Sequence, residues 1–241
     1  MRTSVALASL LCASVTCADV ISVPLDLCGG YNSAGGFSNS PAFQNYRVGL
    51  SPITTTPERR NFFTFDLGVY APMPPGSVTA ASVKLYMPKF APPFLLDPGD
   101  GYISPDESEL FRLTATPYSA AALASPAHTA PEAAAIWDTL GTGPLAGEIL
   151  LTPMDKGTII SIPLVPAAVG AINGLLGTGK VSFGGRIVTF AGTHVDELLF
   201  GFTDMPTPHM MGKEPVLELT IIPAPGASGL FVLVLFARRR R

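Results

Sequence analysis

Cysteine and histidine are both scarce in this chain, and their scarcity argues against two common kinds of site. The 241 residues contain three cysteines and three histidines. The histidines are isolated, without the HxH or HExxH spacing of zinc ligands: His128, His194 and His209. If the chain is cleaved after Ala18, only Cys28 remains and no internal disulfide can form. The sequence therefore predicts no zinc centre and no disulfide, and it predicts that Cys28 is a small buried side chain.

Charged residues are also few, and those away from the chain ends are mostly acidic. They make up 14% of the sequence. Five of the 15 basic residues lie at the ends, so the remaining ten face 18 acidic ones, a balance of −8. Proteins that bind nucleic acid or anionic lipid need a basic surface. We therefore expect that the central domain does not bind nucleic acid.

Recognisable catalytic motifs are missing as well. The sequence contains no G-x-S-x-G nucleophile elbow. Residues 174–180 match GxxxxGK, but Val181 stands where Ser or Thr must bind Mg²⁺. The segment is better interpreted as the end of a helix followed by a strand. Acidic residues could pair as in a glycosidase, but such pairing is spatial. The sequence thus assigns no catalytic residue and no cofactor.

The most informative stretch is residues 59–87, which predicts two strands. Phe63, Phe65 and Leu67 alternate with polar residues, and a second alternation runs from Val78 to Met87. The prolines and glycine between the two runs interrupt regular structure. We predict that the two strands pair with each other, and that Phe62 lies on the face opposite to Phe63 and Phe65. Six apolar side chains of the domain are predicted to be buried: Phe63, Phe65, Val83, Leu85, Ile160 and Phe183.

Similar alternation elsewhere predicts a mainly β domain over residues 19–222. The chain has 24 glycines and 24 prolines, as expected for short strands joined by many turns. Strands are predicted at residues 20–27, 42–50, 110–116, 146–152, 157–164, 180–190, 197–202 and 216–222, with a loop at 29–41. Alanine-rich segments around residues 119–125 and 131–141, and residues 166–176, predict short helices. The predicted fold is an antiparallel β-sandwich, jelly-roll-like, with two or three short helices.

The first 18 residues have the features of a secretory signal peptide. A short basic start at Met1 and Arg2 is followed by an apolar region and then by small residues ending at Ala18. We expect cleavage after Ala18 and export of the protein. The alternative interpretation is a buried N-terminal helix.

The last 19 residues contain a second candidate signal, which follows the last predicted strand. A breaker precedes the apolar residues 227–237, and an arginine cluster ends the segment. The breaker is Pro223, Ala224, Pro225 and Gly226, and the cluster is Arg238, Arg239, Arg240 and Arg241. Residues 223–241 resemble the PEP-CTERM sorting signal in its PAPG variant. The resemblance implies an exosortase-type sorting enzyme as partner, and at least transient membrane contact with the arginines on the cytoplasmic side. The alternative is a last core strand with a solvated basic tail.

The central strands support a second resemblance. The sequence RRNFFTFDL, a Pro/Gly-rich gap and VTAASVKLYM are similar to the start of secreted β-sandwich modules of the DNRLRE type. Relatives of those modules include bacterial carbohydrate-binding modules. The resemblance covers residues 59–222, and it implies a β-sandwich with extracellular polysaccharide as a ligand class.

An acidic cluster in residues 97–109 is the candidate metal site. Its carboxylates are Asp97, Asp100, Asp106, Glu107 and Glu109. Calcium takes six to eight oxygen ligands, but the spacing does not fit an EF-hand. We predict that these side chains lie on one side of a long solvated loop and do not form a tight calcium cage.

Three functions remain open from the sequence. The first is a non-enzymatic protein of the cell envelope or extracellular matrix, sorted by an exosortase-type system. The second is a carbohydrate-binding module, which would need exposed aromatic rings; the candidates are Tyr31, Phe94, Tyr102 and Trp137, although core packing is the stronger interpretation for Trp137. The third is a secreted polysaccharide hydrolase or lyase, which would need facing carboxylates or a charged cleft.

Overall fold

The computed structural model describes residues 18–38, 45–50, 57–70, 77–89, 101–190, 197–201 and 214–222. Both terminal signals, apart from Ala18 itself, lie outside these residues. So do Asp97, Asp100 and Phe94.

Within the described residues, the secondary structure is mostly strand, with three α-helices and one 3₁₀ turn. The strands are β1 (Asp19–Asn32), β2 (Phe37–Ser38), β3 (Val48–Gly49), β4 (Arg59–Asp66), β5 (Val78–Tyr86), β6 (Tyr102–Ile103), β7 (Glu109–Ala115), β8 (Leu145–Leu151), β9 (Ile159–Pro163), β10 (Lys180–Ile187), β11 (Leu198–Leu199) and β12 (Val216–Ile221). The helices are α1 (Ala120–Ala124), α2 (Ala130–Thr142) and α3 (Pro166–Leu175), and the 3₁₀ turn is Pro153–Asp155.

The long strand β1 connects two layers of antiparallel sheet. Its first half pairs with β12, which continues to β5 and β9. Its second half pairs with β4, which continues to β10, β7 and β8. The sheet curls far enough that an isolated bridge links Gly147 of β8 to Leu164, the residue that follows β9. The predicted fold class is confirmed: the protein is mainly antiparallel β and sandwich-like, with three helices.

The two strands of the central stretch form as predicted, but their predicted pairing is wrong. β4 pairs with β1, β3 and β10, whereas β5 pairs with β12 and β9. The two strands therefore belong to different layers. Alternation shows that a segment is a strand, but it does not specify the neighbour with which that strand exchanges hydrogen bonds.

The predicted loop at residues 29–41 is also partly wrong, because β1 continues through Gly29 and Gly30 to Asn32. These glycines serve close packing within the sheet. A Cβ atom on Gly29 would overlap the carbonyl of Ser38 and the ring of Phe62, which lies 2.8 Å from the Cβ position. Pro24 lies at the end of the β12 pairing, just before β1 passes from one layer to the other.

The main core lies between the two layers. The residues predicted to be buried there are all at most 4% exposed: Phe63, Phe65, Val83, Leu85, Ile160 and Phe183. Cys28 is buried in the same core, as predicted. Helix α3, which forms at the predicted position, contributes Ala168 and Ile172 to it.

A second, smaller core lies on the other side of the β1–β4–β10 layer, under α1 and α2. Phe62 packs there with Leu27, Tyr31 and Leu140, so it lies opposite to Phe63 and Phe65 as predicted. Helix α2 begins with a capping box between Thr129 and Glu132.

Gly141 was expected to end this helix, but the helix runs through it to Thr142. The side chain of Arg60 occupies the space that a Cβ atom on Gly141 would need. None of the described helices is both long enough and apolar enough to cross a bilayer.

Candidate functional site

Three carboxylates, two of them close in sequence and the third distant, converge at one end of the sheet. They belong to Asp106, to Glu109 at the start of β7, and to Glu197 just before β11. One oxygen of each lies within 4.8 Å of the others. Glu109 and Glu197 are fully buried, whereas Asp106 is exposed. We call this group the carboxylate cluster.

Short strands position Glu197 in the carboxylate cluster. β11 pairs with both β3 and β6, so Leu198 lies between Gly49 and Ile103. The Leu50 N–H donates to the Glu197 carbonyl (2.6 Å). Gly49 has a φ of 103°, and a side chain there would overlap the Glu197 carbonyl, so this close approach requires glycine.

Hydroxyl groups surround Glu109. The Ser104 hydroxyl donates to its Oε1 (2.5 Å), and the Thr189 hydroxyl donates to its Oε2. The neighbouring Tyr102 hydroxyl donates to the Asp106 carbonyl (3.0 Å). Burial, together with the negative charges of Glu109 and Asp106, raises the pKa of Tyr102 to about 12. The hydroxyl of Tyr102 is therefore a neutral donor at physiological pH.

The carboxylate cluster only partly matches the predicted acidic site. Asp106 and Glu109 converge, while Glu107 is exposed and is not among the three converging residues. Glu109 was expected on a solvated loop, but it opens a strand and is fully buried. Glu197, which is 88 positions later in the sequence than Glu109, was not predicted as a site residue.

Carboxylate oxygens at this spacing can serve as ligands of a hard cation such as Ca²⁺. However, Ca²⁺ takes six to eight oxygens, and both oxygens of Glu109 already accept hydrogen bonds. The described carboxylates by themselves therefore make an incomplete calcium site.

A cleft of about 380 Å³ lies under α1, on the outer side of the β1–β4–β10 layer. It is lined by Asp26, Leu27, Ser119, Ala120, Ala121, Ala124 and Lys180. The Lys180 ammonium lies 2.8 Å from Asp26 Oδ2 and 3.7 Å from Asp66 Oδ2. The hydrogen bond to Asp26 is the main reason that the pKa of Lys180 is raised, so this lysine stays protonated. Lys180 is the last residue of the GxxxxGK match, and in the fold it opens strand β10.

Of the four aromatic residues predicted as binding platforms, the three that the structure describes are not exposed. Tyr31 and Tyr102 are buried, and Trp137 is half-buried beneath the guanidinium of Arg60, which lies 3.7 Å from the centre of its ring. Throughout the described ranges, every Phe, Tyr and Trp side chain is buried or half-buried. The described surface therefore has no fully exposed aromatic ring of the kind that serves as a platform for a sugar chain.

Comparison with known proteins found no protein-family model and no curated sequence that matches this chain.

Proposed function

We propose that this protein is a non-enzymatic component of the cell envelope or extracellular matrix. In this proposal residues 1–18 direct export. Residues 223–241 are recognised by an exosortase-type sorting enzyme and contact the membrane at least transiently. The proposal rests on the sequence of the two ends and on the chemistry available on the β domain between them.

The observation that carries the non-enzymatic part is the burial of the groups that the other two hypotheses require. A polysaccharide hydrolase needs two carboxyl groups that a sugar chain can reach. Glu109 and Glu197 converge, but neither is exposed. A carbohydrate-binding module needs open rings, and Tyr31, Tyr102 and Trp137 are covered. We therefore favour a scaffolding role over an action on polymeric sugar.

The location is tested by mass spectrometry of the protein isolated from its native host after cell fractionation. We expect a mature N-terminus at Asp19, and we expect the peptide after Pro223 to be absent or confined to the membrane fraction. A variant with Arg238, Arg239, Arg240 and Arg241 changed to Gln keeps the length of the segment but removes its charge. It should accumulate unprocessed. A soluble cytoplasmic protein with intact Met1 and Arg241 would contradict the proposal.

The non-enzymatic role is tested separately. Purified protein should release no reducing sugar and no unsaturated product from the matrix polysaccharide of the same host. Turnover that is lost in Glu109→Gln but kept in the surface control Glu148→Gln would favour the hydrolase or lyase instead.

A further inference from the structure

We propose that the cleft under α1 binds a small neutral polyhydroxylated molecule, of the size of one or two sugar units. This inference does not depend on where the protein is located. It rests on three features of the cleft: its preformed wall, its polar floor and its net charge.

The wall is preformed because α1 is anchored to the sheet by its buried face. Leu123 is fully buried in the smaller core, and its carbonyl accepts a hydrogen bond from the Tyr31 hydroxyl (2.8 Å). Nε2 of His128 lies 2.7 Å from the Ala122 carbonyl. The Ser119 hydroxyl caps the helix by accepting from the Ala122 N–H (3.2 Å). These contacts fix α1 beside Asp26 and Lys180, so the wall formed by its alanines is already in place before a ligand binds.

The floor offers a hydrogen-bond acceptor and a donor side by side. Asp26 Oδ2 accepts from the Lys180 ammonium (2.8 Å) and from the Thr64 hydroxyl (3.2 Å). Both of these donors reach the same oxygen, which leaves Oδ1 as an acceptor for a ligand. The ammonium carries three hydrogens. The Asp26 and Lys180 side chains are about one-third exposed, at 30% and 39%, so a ligand in the cleft can reach them.

This pairing suits neighbouring hydroxyl groups, because each hydroxyl both donates and accepts. One hydroxyl of a sugar can donate to Asp26 while the next accepts from Lys180. The C–H groups of the ring can lie against Leu27 and the alanines of α1. The volume of 380 Å³ falls in the lower part of the range of roughly 300–1,000 Å³ for small-molecule sites.

Charge decides between classes of ligand. The charged residues that line the cleft are Asp26 and Lys180. Asp66, which lies outside the lining at 3.7 Å from Lys180, brings the local charge to −1, and this charge disfavours an anionic ligand. A cationic ligand would have to compete with Lys180 for the same carboxylates. A neutral polyol is not repelled by the negative charge and does not compete with Lys180 for the carboxylates.

The test is ligand-observed saturation-transfer NMR on the purified full-length protein, with glucose, galactose and N-acetylglucosamine as neutral probes. Glucuronate and glucosamine serve as anionic and cationic probes of matched size. We expect signals from at least one neutral probe, with dissociation constants in the millimolar range, and weaker signals from the charged ones. Ala121→Leu fills the cleft and should weaken binding at least tenfold. Ala135→Leu makes the same change on the exposed side of α2 and should leave binding unchanged.

Three results would overturn the proposal. The first is the absence of saturation transfer to all neutral probes. The second is equal binding by the Ala121→Leu and Ala135→Leu variants. The third is tighter binding of glucuronate or glucosamine than of glucose. If Ala121→Leu does not fold, Lys180→Gln and Asp26→Asn take its place, and both must weaken binding. Failure of export would leave all these results unchanged, so the two proposals are tested separately.

Discussion

Arg60 should be the strongest polar link between α2 and the sheet. Its Nη1 donates to the carbonyls of Trp137 (3.1 Å) and Asp138 (2.9 Å), and its Nε donates to Glu58 (3.1 Å). Replacing it with Met keeps much of the apolar stem but removes these bonds and the stacking on Trp137. Breaking a buried charge pair costs about 3–5 kcal/mol. Since the Glu58 side chain is 19% exposed and stays partly hydrated, we expect about 3 kcal/mol for Arg60→Met.

Arg112 provides a matched control on the same face of the sheet. It pairs with Glu148 at 3.0 Å, but the two side chains are 31% and 41% exposed. Arg112→Met should therefore cost less than about 1 kcal/mol. Both variants are measured by equilibrium unfolding in urea, with the loss read from the midpoint at constant slope. If Arg60→Met loses no more stability than Arg112→Met, the buried contacts do not anchor the helix and the argument fails.

Three further predictions concern the core, a helix cap and the carboxylate cluster. Phe65→Ala should cost about 3–5 kcal/mol in urea unfolding, whereas Val69→Ala, at a 72% exposed site, should change stability by less than about 0.5 kcal/mol; a loss below about 1 kcal/mol for Phe65→Ala would refute its burial. Hydrogen bonds from Thr129 lower the pKa of Glu132 below its ordinary 4.5. The ionised Glu132 side chain therefore stabilises the folded protein above pH 4.5, and this stabilisation is lost as the pH falls through the lowered pKa. The stability difference between wild type and Glu132→Gln should thus be larger at pH 6 than at pH 3, and an equal difference would contradict the cap. Millimolar calcium should not raise the thermal midpoint, because the carboxylate cluster supplies too few available oxygens; a rise that disappears in Asp106→Asn would show the opposite.

The strands and their faces could be predicted from the sequence because alternation is a local property. Phe62, Phe63 and Phe65 must divide between two faces in any extended chain, and the structure places them in two separate cores. The partner strands of β4 and of β5 could not be predicted in this way. The choice of partner depends on β1, which passes through both layers. It occupies one edge of β4 directly, and in the other layer its partner β12 occupies one edge of β5.

The candidate site was harder to predict for the same reason. Asp106 and Glu109 are close in sequence and could be recognised as a group. Glu197 joins them only through the pairing of β11 with β6 and β3, which are two-residue strands. Such short strands have almost no periodic signal. A single Glu before an apolar pair is likewise no motif, so only tertiary structure brings it into the group.

The small residues of α1 and α2 allow close contact with the sheet at one place and border an open cleft at another. Above Gly184 the backbone of α2 lies directly on the sheet, because a Cβ atom on Gly184 would lie 2.5 Å from the Leu140 carbonyl. The same carbonyl accepts a hydrogen bond from the Thr114 hydroxyl (2.7 Å). Beneath α1 the strands instead carry Asp26 and Lys180. Charged groups lose hydration when a helix closes onto them, and alanine side chains cannot replace the lost water. The contact therefore stays open there, and the cleft is a physical consequence of placing an ion pair beneath an alanine-rich helix.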